Sequence, residues 1–171
     1  MPTLTSDAVE VERIVRPALV TLFSGITGLP HVVTHRVYID GEADAKRRMG
    51  FQHPSSGKTE YRLLVLDFAG YTDLDFGCED NPAYLLSYTV KLAVSHVDAR
   101  PDASTSTDDY ARILLTLRQR VLDAPQVAGY SQLRLERLAV IETRFGLDDE
   151  TLIFGHHVTL NLSVEVTPTE P

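Results

Sequence analysis

The sequence contains little that could cross-link the chain or hold a zinc ion. Its 171 residues include one cysteine, Cys78, and no tryptophan. A single cysteine excludes a disulfide within the chain and a cysteine-based zinc cluster, and it favours synthesis in a reducing compartment. Cys78 lies in the acidic run DLDFGCEDNP, which disfavours its thiolate. We therefore expect an ordinary small residue at this position, not a nucleophile.

Long apolar segments are also lacking. No run approaches the roughly 20 residues that a membrane-spanning helix requires. The stretch MPTLTSDAVEVER has neither the basic region nor the apolar region of a signal peptide. The sequence therefore predicts no membrane partner. With 43% hydrophobic residues, the chain can bury the core of one domain of ordinary size.

An excess of positive charge is missing as well. The chain has 16 Lys and Arg against 24 Asp and Glu, which gives a formal net charge of −8. Proteins that bind nucleic acids gain affinity from basic surfaces that release counterions. We therefore expect no sequence-specific binding of DNA or RNA, although the composition is compatible with DNA passing a surface that does not hold it.

Two segments carry the apolar spacing of helices. From Val11 to Phe23 the apolar residues recur at intervals of three and four, with Thr5 or Ser6 as the expected N-cap and Pro17 as a kink or restart. The segment TDDYARILLTLRQRVLDA, which begins at Thr107, shows the same spacing, and Thr107 is its expected N-cap.

Two other segments alternate between apolar and polar residues, as half-buried strands do. They are YLLSYTVKLAVSHV, residues 84–97, and GHHVTLNLSVEV, residues 155–166. Neighbouring side chains on a strand point to opposite faces, so His156 and His157 cannot bind one ion together unless the strand bulges. We expect His156 to end the apolar row and His157 to face water. Convergence of His96 with His156 stays open.

The order of elements predicts an α+β fold. A helix, a strand, a long loop, two strands, a helix and two strands follow one another, with RFGLDDET as the turn between the last two strands. The sequence shows neither an internal repeat nor a linker. We expect a single domain over residues 1–171, with a mixed or mainly antiparallel sheet packed against two main helices. Residues 41–60 are interpreted as one long polar loop, and residues 167–171 as a flexible tail.

Signatures of catalysis are absent from the sequence. SSGKT resembles the end of a phosphate-binding loop, but the required first glycine is replaced by Gln52, and a strand follows where a helix is needed. Neither GxSxG nor HExxH occurs. We therefore predict that the chain is not an enzyme, and that it has no catalytic, cofactor-binding or metal-binding residues.

The only basic cluster lies within residues 41–60. Lys46, Arg47 and Arg48 are adjacent there, and the simplest interpretation is a solvated surface. The alternative is that they meet an acidic partner, which includes a second copy of this acidic chain. The acidic residues that such a contact would use are Asp73, Asp75, Glu79 and Asp80.

The layout of the chain resembles that of the tail terminator proteins of long-tailed bacteriophages, with their related neck and tail-completion proteins. The features that carry the resemblance are the amphipathic VERIVRPALVTLFSGITGLP, the alternating YLLSYTVKLAVSH, the helical DDYARILLTLRQRVLDA, and the final strands LRLERLAVIE and HHVTLNLSVEV. The resemblance covers about residues 7–166. It is an order of elements without a fixed motif, and the family has no catalytic residues to carry over.

This resemblance implies a structural virion protein that is made in the host cytoplasm and located in the tail or neck. It implies a homohexameric ring that caps the head-proximal end of the tail tube, ends tube polymerisation and lets DNA pass through its lumen. The implied partners are further copies of the chain, the tail tube protein and a neck or head-completion protein. The alternatives are another neck, head-completion or baseplate subunit, or a small ligand- or metal-binding enzyme.

Overall fold

The fold consists of one β-sheet and three helices in the described part of the chain. The computed structural model describes residues 7–35, 40–54, 57–74, 83–95, 104–127, 129–148 and 153–167. The helices are α1 (Ala8–Phe23), α2 (Gly41–Met49) and α3 (Ser104–Asp123). The strands are β1 (Val32–Val33), β2 (Gly50–Gln52), β3 (Thr59–Asp73), β4 (Tyr84–Ser95), β5 (Gln126–Val127), β6 (Tyr130–Leu147) and β7 (Phe154–Val166).

The sheet is mixed and mainly antiparallel, which confirms the predicted α+β class. Its strand order is β1-β3-β4-β7-β6-β5, and β2 pairs with β3 beside this path. The pairs β3–β4, β4–β7 and β7–β6 are all antiparallel, whereas β1 runs parallel to β3. The four long strands therefore alternate in direction across the sheet.

The main core lies between one face of this sheet and the helices α1 and α3. Each of the two central strands contributes the row of alternate residues that the sequence predicted, and His156 ends the row of β7. α1 and α3 contribute their periodic apolar residues, among them Val15, Leu19, Ile113 and Leu117. No helix within the described residues is long and apolar enough to cross a membrane.

The segment 41–60 differs from its prediction as one long loop, because it contains α2 and β2. Ala45 and Met49 lie one helical turn apart, and they pack with Leu63 and Val65 on the second face of the sheet. Two such contacts attach a helix whose other side is polar. The apolar content of the segment was too sparse to reveal it.

The ends of the first helix and the third helix also differ from the predictions. Asp7 caps α1 by accepting a hydrogen bond from the Val9 amide at 2.9 Å, and the expected caps lie outside the described residues. α1 continues through Pro17 without restarting. α3 begins at Ser104, so Thr107 lies inside it and is not its N-cap.

At the β6–β7 hairpin, two expectations were wrong. His157 is buried, not solvated, because its Nε2 lies 3.0 Å from the Ile153 carbonyl oxygen and 3.2 Å from that of Gly146. β6 runs on to Leu147, so the stretch RFGL belongs to the strand and not to a turn. Both follow from the pairing of β6 with β7 almost to the tip of the hairpin.

We predict that Leu92→Asp unfolds the domain. Leu92 is 1% exposed in the main core, so the substitution buries a charge without a partner and should cost more than about 4 kcal/mol. The measurement is urea unfolding followed by circular dichroism. Leu115→Asp, at a helix position that is 62% exposed, is the matched control and should remain folded. A folded Leu92→Asp variant would contradict the position of β4 in the core.

Candidate functional site

The basic cluster of the sequence lies on α2, and each of its cations has an acidic partner in the same helix. Lys46 Nζ lies 2.7 Å from Glu42 Oε1, Arg48 Nε lies 2.9 Å from Asp44 Oδ1, and Arg47 pairs with the same Asp44 oxygen. The hydrogen bonds from Arg47 and Arg48 lower the pKa of Asp44 to about 2. The three cations are solvent-exposed, and they stay candidates for a contact with a partner.

The acidic residues that were predicted to meet this cluster lie elsewhere in the chain or outside the described part. Asp73 is exposed at the end of β3, whereas α2 packs near the start of that strand, on Leu63 and Val65. Asp75, Glu79 and Asp80 lie outside the described residues, as does Cys78. One chain therefore does not bring Asp73 to the α2 cations.

His156 takes part in an aromatic cluster at one end of the sheet. Its ring stacks on Tyr110 of α3 with a centroid distance of 5.0 Å and lies 4.8 Å from the ring of Phe145, which in turn meets Phe154 edge-on at 5.3 Å. Burial raises the pKa of Tyr110. His96 lies outside the described residues. Among the described residues, no group of three or more His, Cys, Asp or Glu side chains could hold a metal ion.

A charged cluster that sequence reasoning missed is buried where β3 meets α3. Arg62 is 0% exposed, and its guanidinium donates to Glu60 Oε2, through Nε at 2.9 Å and through Nη2, and to Asp109 Oδ2. Asp109 also accepts from Arg112, and His53 Nε2 lies 3.2 Å from its Oδ2. Buried charges of this kind persist only when they are paired.

The same guanidinium joins this cluster to two further segments. Arg62 Nη1 donates to the Gly28 carbonyl oxygen at 3.0 Å, and the Arg62 guanidinium carbon lies 4.2 Å from the centroid of the Phe51 ring. A Cβ on Gly28 would lie 2.6 Å from Nη1, and the φ of Gly28 is +84°, so this position requires glycine. Arg62 thus connects the segment after α1 with β2, β3 and α3.

A sequence signal for this cluster existed. Glu60 and Arg62 have the same strand parity as Leu64 and Leu66, which belong to the main core. Two charged residues on an apolar strand face must pair with each other or with charges from elsewhere. The partner residue Asp109 stands in the first turns of α3, and no local pattern connects the two segments.

The strand β6 and the first residue of β7 carry exposed apolar side chains, which we call the β6 patch. It comprises side chains that are 51–63% exposed: Val140, Ile141, Phe145, Leu147 and Phe154. Two irregularities in the pairing with β7 lie in this strand, between Leu135 and Arg137 and between Val140 and Glu142. Phe145 and Phe154 are in contact, and exposed apolar surface commonly marks an interaction site.

The second face of the sheet is covered by α2 at one end only and carries short polar side chains elsewhere. β4 and β7 place there a set of half-buried residues: Ser87, Thr89, Lys91, Thr159, Asn161, Ser163 and Glu165. Burial and a hydrogen bond with Glu136 raise the pKa of Glu165, while the charge of Arg134 opposes this shift. Besides Lys91, the pairing with β7 places Arg134, Arg137 and Arg144 of β6 on this face.

We predict that Arg62→Met destabilises the domain strongly. The substitution keeps an apolar stem but leaves Glu60 buried without its cation, which should cost about 3–5 kcal/mol in the free energy of unfolding. Arg47→Met, at a position with 72% side-chain exposure and an ion pair within its own helix, is the matched control and should change stability by less than about 1 kcal/mol. Equal effects of the two substitutions in urea unfolding would contradict the structural role of the cluster.

We predict that Glu165→Gln raises the melting temperature at pH 7 and leaves it unchanged near pH 4. The folded-state pKa of Glu165 is raised, so its contribution to stability is present below its ordinary pKa of 4.5 and is lost as pH rises through the folded value. Glutamine keeps a hydrogen bond to Glu136 without the charge. Calorimetry at both pH values tests this, with Glu142→Gln on exposed β6 as control. An increase of equal size at both pH values would contradict it.

Comparisons with known proteins find a similarity to a solved structure but no matching family model or curated protein. No protein-family model matches the chain, and no curated protein matches it. The chain is similar to one in a solved structure described as "Virion of native gene transfer agent (GTA) particle", with a TM-score of 0.38 and 13% sequence identity over 94% of this chain and 98% of that chain. At this degree of similarity, the comparison assigns no function.

Proposed function

We propose that the chain is a structural subunit of a phage-like virion, and more specifically a tail terminator. Copies of it would form a ring that caps the head-proximal end of the tail tube, stops its polymerisation and joins the tail to the neck. The observation that carries this proposal is the two-sided sheet. One face is closed by α1 and α3, and on the other the central strands β4 and β7 carry mainly Ser, Thr and Asn side chains.

A ring of such sheets explains the polar face. With α1 and α3 outside, the polar face lines the lumen, where DNA carries one negative charge for about every 1.7 Å of its axis. Short uncharged side chains on β4 and β7 offer phosphates few contacts, and the chain charge of −8 opposes binding, so we expect DNA to slide past the arginines of β6 without being held. Lys91 is the cation that β4 contributes to this face.

The basic residues of α2 suit a contact with another virion protein. α2 packs on Leu63 and Val65, near the start of β3. In the ring, α2 would therefore stand at one rim. Lys46 to Arg48 would there face the tail tube protein or a neck or head-completion protein. The same subunit geometry would serve in another neck, head-completion or baseplate ring. Which rim binds the tube distinguishes these roles.

We predict that native mass spectrometry of the purified protein detects a hexamer, about six times the 19.0 kDa of one chain, either alone or after mixing with tail tubes. The spectra are recorded with and without a chelator, and electron microscopy of the mixture shows whether the ring lies at one end of each tube. A persistent monomer that carries a metal ion or a small molecule would overturn the proposal and favour a ligand-binding enzyme.

A further inference from the structure

The β6 patch lies beside an open strand edge, and we propose that this surface docks onto the β3 edge of a second copy of the chain. This inference rests on the ring of the proposed function and specifies its subunit contact. Residues 138–145 of β6 would pair with residues 66–73 of β3 in the neighbouring copy. The two sheets would then continue into each other around the ring.

The size of the β6 patch fits part of a protein interface. Five large apolar side chains at about half exposure leave on the order of 400 Å² of apolar surface in water. A stable contact buries roughly 800 Å² on each partner, and its centre is its most apolar part. The patch therefore supplies about half of one side, and strand pairing and polar contacts around it would supply the remainder.

The edge of β6 that faces away from β7 is open over most of its length in the described part of the chain. β5 pairs only with Tyr130 and Arg134, at the start of β6. An unpaired strand presents a row of backbone N–H and C=O groups that can pair with another strand. The irregularities of β6 agree with such a role, because bulges occur frequently at sheet edges and at the rims of barrels.

Strand direction makes β3 of a second copy the fitting partner. β3, β4, β7 and β6 alternate in direction, and a rotation about a ring axis preserves both direction and face. A neighbouring β3 laid beside β6 is therefore antiparallel to it, with the helix-covered faces on the same side. Such a contact joins two different surfaces, as a closed ring requires.

One register matches the chemistry of the two edges. Val140 and Tyr71 lie on the helix-covered face of their strands, and both are more than half exposed. Placing them opposite each other brings Arg144 opposite the exposed Asp67, on the polar face. The irregularity between Val140 and Glu142 then lies opposite the one between Phe68 and Gly70. Each strand has one extra residue there, so paired residues face the same side of the sheet before and after the irregularity.

The strand tilt that follows from this register is that of a closed barrel. Val140 pairs with Leu160 of β7, and Leu160 pairs with Val90 of β4. Tyr71 pairs with Leu86 of β4, which is four residues away from Val90 along the same strand. The offset of four residues, at about 3.3 Å each, accumulates across four strands spaced by about 4.8 Å. The resulting tilt is roughly 35°, at the lower end of the 35–45° that closed barrels show.

The contact differs from one between the α2 cations and the acidic region that begins at Asp73. α2 packs on the starting part of β3, beside the edge opposite to β6. In the proposed ring, that edge meets β6 of the neighbour. The two contacts therefore use different pairs of surfaces, and one set of variants separates them.

The first test is the double variant Val140→Lys with Leu147→Lys, compared with Leu115→Lys with Leu122→Lys. Both pairs replace half-exposed apolar residues by the same cation, at 54% and 55% exposure on β6 and 62% and 58% on α3. We expect the concentration at which half the protein is in rings to rise at least about tenfold for the β6 variant, and to stay unchanged for the α3 control. Thermal unfolding of each monomer verifies that the variants are folded.

The second test is a cross-link that depends on the register. In a Cys78→Ser background, Ala139→Cys and Thr72→Cys would lie opposite each other across the contact, within the reach of a disulfide. Within one chain, these positions are separated by roughly 14 Å across the sheet and by about 13 Å along the strands, so any bond between them joins two copies. Oxidation should give a reducible ladder of covalent oligomers. Ala139→Cys with Thr21→Cys on α1 is the control and should not give this ladder.

Each outcome supports or overturns a defined part of the proposal. If the unmodified protein forms rings and both β6 tests fail, the contact is wrong and the proposed function stands. If charge reversal of Lys46, Arg47 and Arg48 abolishes rings that the β6 variant still forms, the α2 contact replaces it. If the unmodified protein stays monomeric even with tail tubes, both the ring function and the proposed contact are wrong.

Discussion

The antiparallel pairing of β4 with β7 is the interaction on which the other elements depend. It matches residues 84–95 with residues 155–166 without a register shift, so two rows of alternate apolar side chains lie side by side on one face. That face is apolar along its whole length, and α1 and α3 cover it. β3 and β6 then extend the sheet on either side, and their bulges occur only outside the central pair.

The buried charges around Arg62 connect the parts that this core does not hold by itself. Burial of an ion pair seldom adds stability compared with an apolar substitute, but breaking one is costly. The cluster therefore ties the start of α3 to β3, because the Arg62 guanidinium bonds to Glu60 and Asp109 together. It lies inside the subunit, which leaves the surface for contacts with other molecules.

The faces and edges of the sheet are the surfaces through which this subunit could contact other molecules. Its sheet has one face covered by helices, one face that is polar away from α2, and two different edges among the described residues. Different edges allow contacts that close into a ring, and the alternating directions of four strands make such contacts antiparallel. The proposed register gives the strands a tilt suited to a closed barrel, since the offset between edges accumulates across each subunit.

The sequence by itself determined the parts in which local periodicity and burial agree. The alternation in β4 and β7 and the helical spacing in α1 and α3 predicted these elements and the α+β class, because each buries one continuous apolar face. Tertiary structure decided the rest. α2 is held in place because Ala45 and Met49 pack on Leu63 and Val65 of β3. His157 is buried because the β6–β7 hairpin encloses it, with its Nε2 near the carbonyl oxygens of Gly146 and Ile153. The cluster of Arg62 with Asp109 forms between residues that are 47 positions apart, and no local pattern shows that these side chains meet.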